Sequence, residues 1–167
     1  NVPNHESYSI NMSQIIANLL TFGNVDSGSE NLEDQITASI STGGNTAIVV
    51  GIGSEKPSTT PNLPTVAGLS LTWIEIGTNT AATLNSNKRV ALYAAYVPAP
   101  VTGTLTISHG GQNQQDIYWI VSQLSFVKNK NFIIQNNVGN VTTSPLAISL
   151  SPFGNVNNIA IGFCYLN

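Results

Sequence analysis

Short runs in which apolar and polar residues alternate, or apolar residues pair, make up most of the chain after Gln35. Clusters of Gly, Pro, Asn and Ser separate these runs at the spacing typical of an all-β sandwich or barrel, and helical periods are almost absent. We therefore predict an all-β fold, a single antiparallel β-sandwich. The predicted strands are 36–41, 47–53, 68–76, 89–97, 103–108, 116–126, 131–135, 145–150 and 158–166.

Two features of this pattern predict more than strand positions. Within 68–76, Leu69, Leu71 and Trp73 share one face, whereas Ile74 and Ile76 continue the apolar series on the other. This change of period predicts a β-bulge or a chain that passes from one sheet to another. Strands 47–53 and 158–166 are apolar on both faces, which is typical of strands that are covered on both sides.

The N-terminal segment 1–33 differs from the rest and is predicted to be an arm and tether attached to a sandwich of residues 34–167. It carries no charged residue between Ser7 and Val25, and 23–31 (GNVDSGSEN) has the composition of a flexible tether. The arm either folds onto its own domain or is donated to the sheet of a neighbouring subunit. The predicted donor side chains alternate first and then follow helical spacing: Tyr8, Ile10, Met12, Ile15, Ile16 and Leu19.

Charge is scarce, and this argues against nucleic acid as a partner. Only 8% of the 167 residues are charged, against about 25% in ordinary soluble domains. The net charge of −3 includes no basic stripe, so nucleic acid is excluded as a partner. A surface of Thr, Asn and Ser suits a protein outside the cell. So few ionisable groups also predict a stability that varies weakly with pH and salt.

Cys164 is the single cysteine, so no disulfide within the chain is possible, and it is predicted to act as a small apolar core residue. No apolar run approaches the ~18 residues of a membrane span, so none is expected. The N-terminus lacks the basic region of a signal peptide, and we expect any leader to have been removed.

The order of elements resembles that of jelly-roll-like β-sandwich modules found in phage virion proteins and in secreted or surface proteins of bacteria and archaea. The resemblance covers residues 34–166 and rests on stretches such as PTVAGLSLTW and RVALYAAY. It implies a jelly-roll-like architecture and an extracellular, cell-surface or virion setting. It implies no catalytic residue.

No residue pattern predicts catalysis, a metal site or a cofactor. The two histidines, His5 and His109, lack the spacing of metal ligands, and the glycines after His109 indicate a turn. No pair of carboxylates has the spacing of a glycosidase. Glu75 lies between two isoleucines, and strand alternation predicts that it faces solvent. The acidic stretch 29–34 is more typical of a solvated face than of a Ca²⁺ site.

Aromatic residues supply the alternative function. Tyr118 and Tyr93 are the side chains we would assign to stacking on a glycan, although aromatics at strand spacing are more often core residues. Asn11 and Asn140 match the N-glycosylation acceptor pattern, a frequent chance match.

The sequence thus predicts a non-enzymatic structural subunit, in a filament, a pilus-like fibre or a virion, that assembles with copies of itself or with other virion or surface proteins. The alternative is a carbohydrate-binding module that binds glycans through its aromatic residues. The predicted core consists of Ile48, Val50, Leu71, Trp73, Leu92, Leu105, Ile107, Trp119, Ile148, Ile159, Ile161 and Phe163.

Overall fold

The computed structural model describes residues 17–26, 32–82, 87–125, 127, 149, 151 and 160–163. In this part of the chain the regular secondary structure is all β, as predicted. The strands are β1 (Ala17–Asp26), β2 (Gln35–Ile36), β3 (Ile40–Thr42), β4 (Thr46–Lys56), β5 (Thr65–Gly68), β6 (Ile74–Ala82), β7 (Asn87–Val97), β8 (Val101–Gly103), β9 (Leu105–Ser108) and β10 (Asp116–Leu124).

The strands form three antiparallel sheets. A five-stranded sheet has the order β1-β10-β4-β7-β6, a three-stranded sheet has the order β2-β9-β5, and β3 pairs with β8. Strand β4 is central in the large sheet, and β1 and β6 are its edges. The jelly-roll order that the sequence suggested stays a prediction.

The core lies between the large sheet and the two small ones. From β4, Ile48, Val50 and Ile52 pack against Leu105 and Ile107 of β9 within one buried cluster. Two antiparallel layers that share a core in this way form a β-sandwich. We call the side of the large sheet that carries Ile48 its inner face and the opposite side its outer face.

The outer face is also partly covered. Ala47 and Val49 of β4 are buried there against Leu124 and Val127. A Cβ atom added to Gly51, on the same face, would overlap the ring of Phe163, so the segment 160–163 lies over the middle of the sheet. Strand β4 is therefore covered on both sides, as its apolar pattern predicted.

The change of period in 68–76 marks a passage between sheets and not one continuous strand. Strand β5 ends at Gly68, Leu69 and Ser70 adopt positive φ angles of 57° and 54°, and β6 begins in the large sheet at Ile74. The predicted passage from one sheet to another is thus correct, but the single strand is wrong. A bulge is present too, between Glu75 and Gly77.

Two other predicted strands are each divided in two. The stretch 36–41 spans β2 and β3, and 103–108 spans β8 and β9; the members of each pair belong to different sheets. Thr37 holds this bend, since its backbone N–H donates to the Leu105 carbonyl (3.0 Å) and its hydroxyl accepts from the Leu105 N–H (3.0 Å). Alternation of side chains does not reveal such a bend, because both halves keep their buried face.

The predicted core is largely confirmed where it can be compared. Ile48, Val50, Leu105, Ile107 and Trp119 are buried. Leu71 and Trp73 are partly buried against this core, and Leu92 packs on the outer face. Ile161 is wrong, being 38% exposed, and residues 160–163 are not in a strand. Ile148, Ile159, Cys164 and the predicted strand 131–135 lie outside the described residues. Of the predicted strand 145–150 only residue 149 is described, and it is not in a strand.

Part of the predicted arm belongs to the sandwich. Strand β1 pairs with β10 over its whole length, from Ala17 opposite Leu124 to Asp26 opposite Asp116. Residues 23–26 are therefore strand and not tether, which corrects that part of the prediction.

Candidate functional site

The edge strand β1 carries the most unusual surface of the molecule. It is ten residues long and has no charged side chain before Asp26, at its end. Natural edge strands are usually short, charged or interrupted by Pro, because an open edge can pair with another chain. Strand β1 has none of these three protections, and its register shifts once, between Leu19 and Thr21.

Apolar side chains stand exposed on the outer face along this edge. Leu19 is 56% exposed and Phe22 is 73% exposed, and Ile120 of β10, directly opposite Phe22, is 38% exposed. We call these three residues the edge patch. Their register places them on one side of the sheet, so they form one apolar surface.

The inner face of β1 is held by close packing. Leu20 lies against the main core. Gly23 lies opposite Trp119, and a Cβ atom at Gly23 would overlap the indole ring. The indole therefore covers the backbone of β1, and any larger residue at position 23 would push the strand and the ring apart.

Three connecting segments meet beside the end of the large sheet at which β1 finishes. They are 32–34, 57–64 and 109–115, and we call them the loop cluster. Leu32 and Gln114 exchange two backbone hydrogen bonds, of 2.9 and 3.0 Å. The backbone N–H of Asn62 donates to Gln112 Oε1 (2.5 Å), and Lys56 Nζ of β4 donates to the Asn113 carbonyl (2.6 Å). The segment 109–115 thus holds the other two.

His109 lies within the loop cluster. Its backbone N–H donates to Asp34 Oδ1 (3.2 Å), and its carbonyl accepts from Asn62 Nδ2 (3.1 Å). The residue is 2% exposed, and neither ring nitrogen has a hydrogen-bond partner among the described residues. Burial lowers the pKa of His109 from 6.5 to about 4; Asp34 acts in the opposite direction, and Arg89 lowers the pKa further.

The prediction that glycines after His109 mark a turn is confirmed. Gly110 and Gly111 have φ angles of 65° and 78°, which favour glycine, and the chain turns there. The burial of the imidazole was not predicted. No local pattern reveals it, because Asp34 and Asn62, which bond the backbone of His109, are distant from it in sequence.

Charged residues lie opposite one another across three strands at the same end of the large sheet. Asp116 lies opposite Glu55, and Glu55 lies opposite Lys88. Lys88 Nζ is 3.2 Å from Glu55 Oε2, and both side chains are largely buried. This pair joins β4 to β7 and accounts for two of the few charged groups in the chain.

The aromatic residues of the alternative function have different environments. Tyr93 is buried, and its hydroxyl donates to the Pro64 carbonyl, which corrects the expectation that its ring faces a glycan. Burial, together with Glu75, raises the pKa of Tyr93. Tyr118 is half-buried on the outer face, opposite Asn24. Glu75 is exposed, as strand alternation predicted.

Of the predicted donor residues, only Leu19 is described, and it lies in β1, paired with Ser122 of the same chain. Tyr8, Ile10, Met12, Ile15 and Ile16 lie outside the described residues, as do Asn11 and Asn140. Sequence reasoning missed Phe22 and Ile120. Ile120 belongs to a strand that also contributes to the core, and only the pairing with β1 shows which of its sides is open.

The described residues contain no candidate metal site and no candidate membrane-spanning helix. No three His, Cys, Asp or Glu side chains lie close enough together there to hold a metal ion. Over the same residues, the structure contains no helix with the length and hydropathy needed to span a membrane.

Comparison with known proteins finds no matching family model, no matching curated protein and no matching solved structure.

Proposed function

We propose that this protein is a non-enzymatic structural subunit of an extracellular assembly, a filament or a virion, and that neighbouring subunits are joined through the N-terminal strand. The observation that carries the proposal is β1: a long, uncharged edge strand with Leu19 and Phe22 exposed beside it. A surface poor in charge supports the extracellular setting.

The way in which β1 is attached supports strand donation. Its contacts are the backbone pairing with β10, the packing of Leu20 against the main core and the close approach of Gly23 to the Trp119 ring. The same contacts form whether residues 17–26 come from the same chain or from the next, because nothing in them depends on chain connectivity. Exchange of an identical element between copies is a low-cost route to association.

Donation produces a fibre when each subunit gives its β1 to the next subunit and receives the β1 of the previous one. The main-chain hydrogen bonds of β1 supply affinity, and the side chains on its inner face supply register. In the proposal, residues 8–16 precede this strand and extend the arm, with Tyr8, Ile10 and Met12 as further contacts. A head-to-tail contact that does not close on itself gives a filament.

A pair of engineered cysteines tests the direction of donation. Leu19 and Ser122 are opposite each other on β1 and β10, and the Cα separation of such a pair falls within the range for a disulfide. We would combine Leu19→Cys and Ser122→Cys with Cys164→Ser, assemble the protein, oxidise it and run non-reducing gels. Donation between chains gives a ladder of covalent multimers, which collapses on reduction.

The single variants Leu19→Cys and Ser122→Cys, in the same Cys164→Ser background, are the controls, and they should give no ladder. A double variant that assembles but shows only an internal disulfide places β1 on its own chain and contradicts donation. A protein that remains a monomer under all assembly conditions contradicts the structural function itself.

The carbohydrate-binding alternative retains one supporting observation. Tyr118 is half-buried on the outer face and close to the edge patch, whereas Tyr93 is in the core. One partly accessible ring offers less stacking surface than the edge patch offers to a second copy. Retention of the protein on polysaccharide columns, lost in Tyr118→Ala, would favour the alternative.

A further inference from the structure

The imidazole of His109 is buried in a place that suits only its neutral form. With 2% exposure and no hydrogen-bond partner for either nitrogen among the described residues, it lacks the carboxylate or carbonyl that normally accompanies a buried cation. A neutral buried polar group without partners already costs about 1–3 kcal/mol, and a charged one costs more.

The charged groups around the ring do not offset this cost. Asp34, from the segment before β2, accepts the backbone N–H of His109. Arg89 of β7 donates through Nε to the Pro61 carbonyl (2.7 Å) in the loop cluster. Lys56 of β4 contacts the same loop at Asn113. Asp34 favours a protonated ring and Arg89 disfavours it, and burial outweighs both, while Glu55, Lys88 and Asp116 lie on the strands at the same end of the sheet.

Opening the cluster is the way for a protonated ring to reach water. His109 is tied through its own backbone to Asp34 and Asn62, so a displacement of the chain at His109 strains both bonds. The adjacent residues 112–114 hold segments 57–64 and 32–34, so a displaced His109 loosens both.

We propose that His109 is an acid-sensitive latch, whose protonation opens the loop cluster and releases the segment 32–34 that follows β1. Above about pH 6.5 the ring is neutral and the latch is closed. At lower pH the open form, in which the ring is solvated, binds the proton more strongly than the closed form and becomes more populated.

The expected size of the effect follows from the two protonation equilibria. With a pKa of about 4 in the closed form and 6.5 in the open form, the open population should rise about 20-fold between pH 7 and pH 5.

Hydrogen exchange measured by mass spectrometry tests the latch. We would follow peptides covering 32–34, 57–64 and 109–115 from about pH 7 to about pH 5, compare wild type with His109→Gln at each pH, and correct for intrinsic exchange rates. In wild type, the protection of these peptides should fall as pH decreases, while that of β4 and β7 should not. In His109→Gln it should not depend on pH, and His5→Gln, the matched control, should behave as wild type.

Equal pH dependence in wild type and His109→Gln would overturn the latch. Should His109→Gln fail to fold, NMR titration of the imidazole in the wild-type protein tests the latch instead. A ring that titrates near pH 4, with loop amides shifting in parallel, supports the proposal, and a ring that titrates near 6.5 refutes it.

One consequence rests on the proposed function: an open latch frees β1 for exchange, so assembly should be faster at about pH 5 than at pH 7 in wild type alone. If the loops open at low pH but assembly is not faster, strand exchange is contradicted, and the proposal that His109 controls the loops still holds. Absence of loop opening contradicts the latch, whatever assembly does.

Discussion

Two glycines decide how the large sheet is covered. Gly23 lets the indole of Trp119 lie against β1 on the inner face, and Gly51 lets the ring of Phe163 lie against β4 on the outer face. In each case an aromatic ring occupies the space that a side chain would fill. Such a contact shields the strand backbone. It also fixes the register, because a shift of one residue would bring a side chain, and not a glycine, under the ring.

The contact at Gly23 predicts a specific destabilisation. Gly23→Ala places a methyl group within the Trp119 ring and should destabilise the protein by about 1–3 kcal/mol, the usual cost of overpacking. Trp119→Ala alone should cost about 3–5 kcal/mol. Because Trp119→Ala removes the overlap, Gly23→Ala should cost little more in that background. Urea titrations of the two single variants and the double variant measure this.

Asn24→Ala, at an exposed neighbouring position of β1, is the control and should change stability by less than about 0.5 kcal/mol. Strictly additive effects of Gly23→Ala and Trp119→Ala would show that the two residues do not share the contact described.

At the scale of elements, the two edges of the large sheet differ. The register shifts in both, between Leu19 and Thr21 in β1 and between Glu75 and Gly77 in β6, but β6 also has the exposed carboxylate of Glu75, which discourages pairing with another chain. Strand β1 is charge-free over most of its length and borders the edge patch. Association between subunits should therefore depend on the β1 edge and not on the β6 edge.

Charge placed on each edge tests this difference. Phe22→Lys, at a position 73% exposed, should change the free energy of unfolding by less than about 0.5 kcal/mol. It should weaken self-association about tenfold or more, because burying a Phe contributes about 1.5–3 kcal/mol. Ile74→Lys, on β6 and 47% exposed, is the matched control and should associate as wild type does. Light scattering over a concentration series measures both, and equal effects would contradict the asymmetry.

At the scale of the whole molecule, the scarcity of charge and the burial of one histidine have opposite consequences for pH dependence. Composition alone predicts a stability that barely changes with pH. The structure changes this expectation, since His109 has a folded-state pKa of about 4 against 6.5 when exposed. The unfolded chain therefore binds more protons between these two values, and folding weakens as pH falls through that window.

Denaturant titrations should show a stability that is constant above about pH 6.5 and then lower by about 3 kcal/mol near pH 4, at ~1.4 kcal/mol per pH unit. His109→Gln should remove most of this loss. Salt should have little effect, because few exposed ion pairs exist to be screened. A loss of the same size in His109→Gln would assign the pH dependence to the carboxylates instead.

The sequence by itself determined the fold class and most of the core. Alternation identified β4, β7 and β10 to within a few residues, because strands that bury one or both faces must repeat their apolar positions. It also predicted that β4 is covered on both sides. These properties depend on local chemistry, which each segment carries whatever its neighbours are.

The tertiary structure decided the rest. The division of 36–41 and 103–108 between two sheets, the exposure of Phe22 beside Ile120 and the burial of His109 each depend on residues far apart in sequence. Leu32, Asn62 and Gln114 meet around one loop only when the sandwich is closed. An apolar pattern shows that a strand has a face to bury, but only the packing of the other strands decides which side is covered and which is left open at the edge.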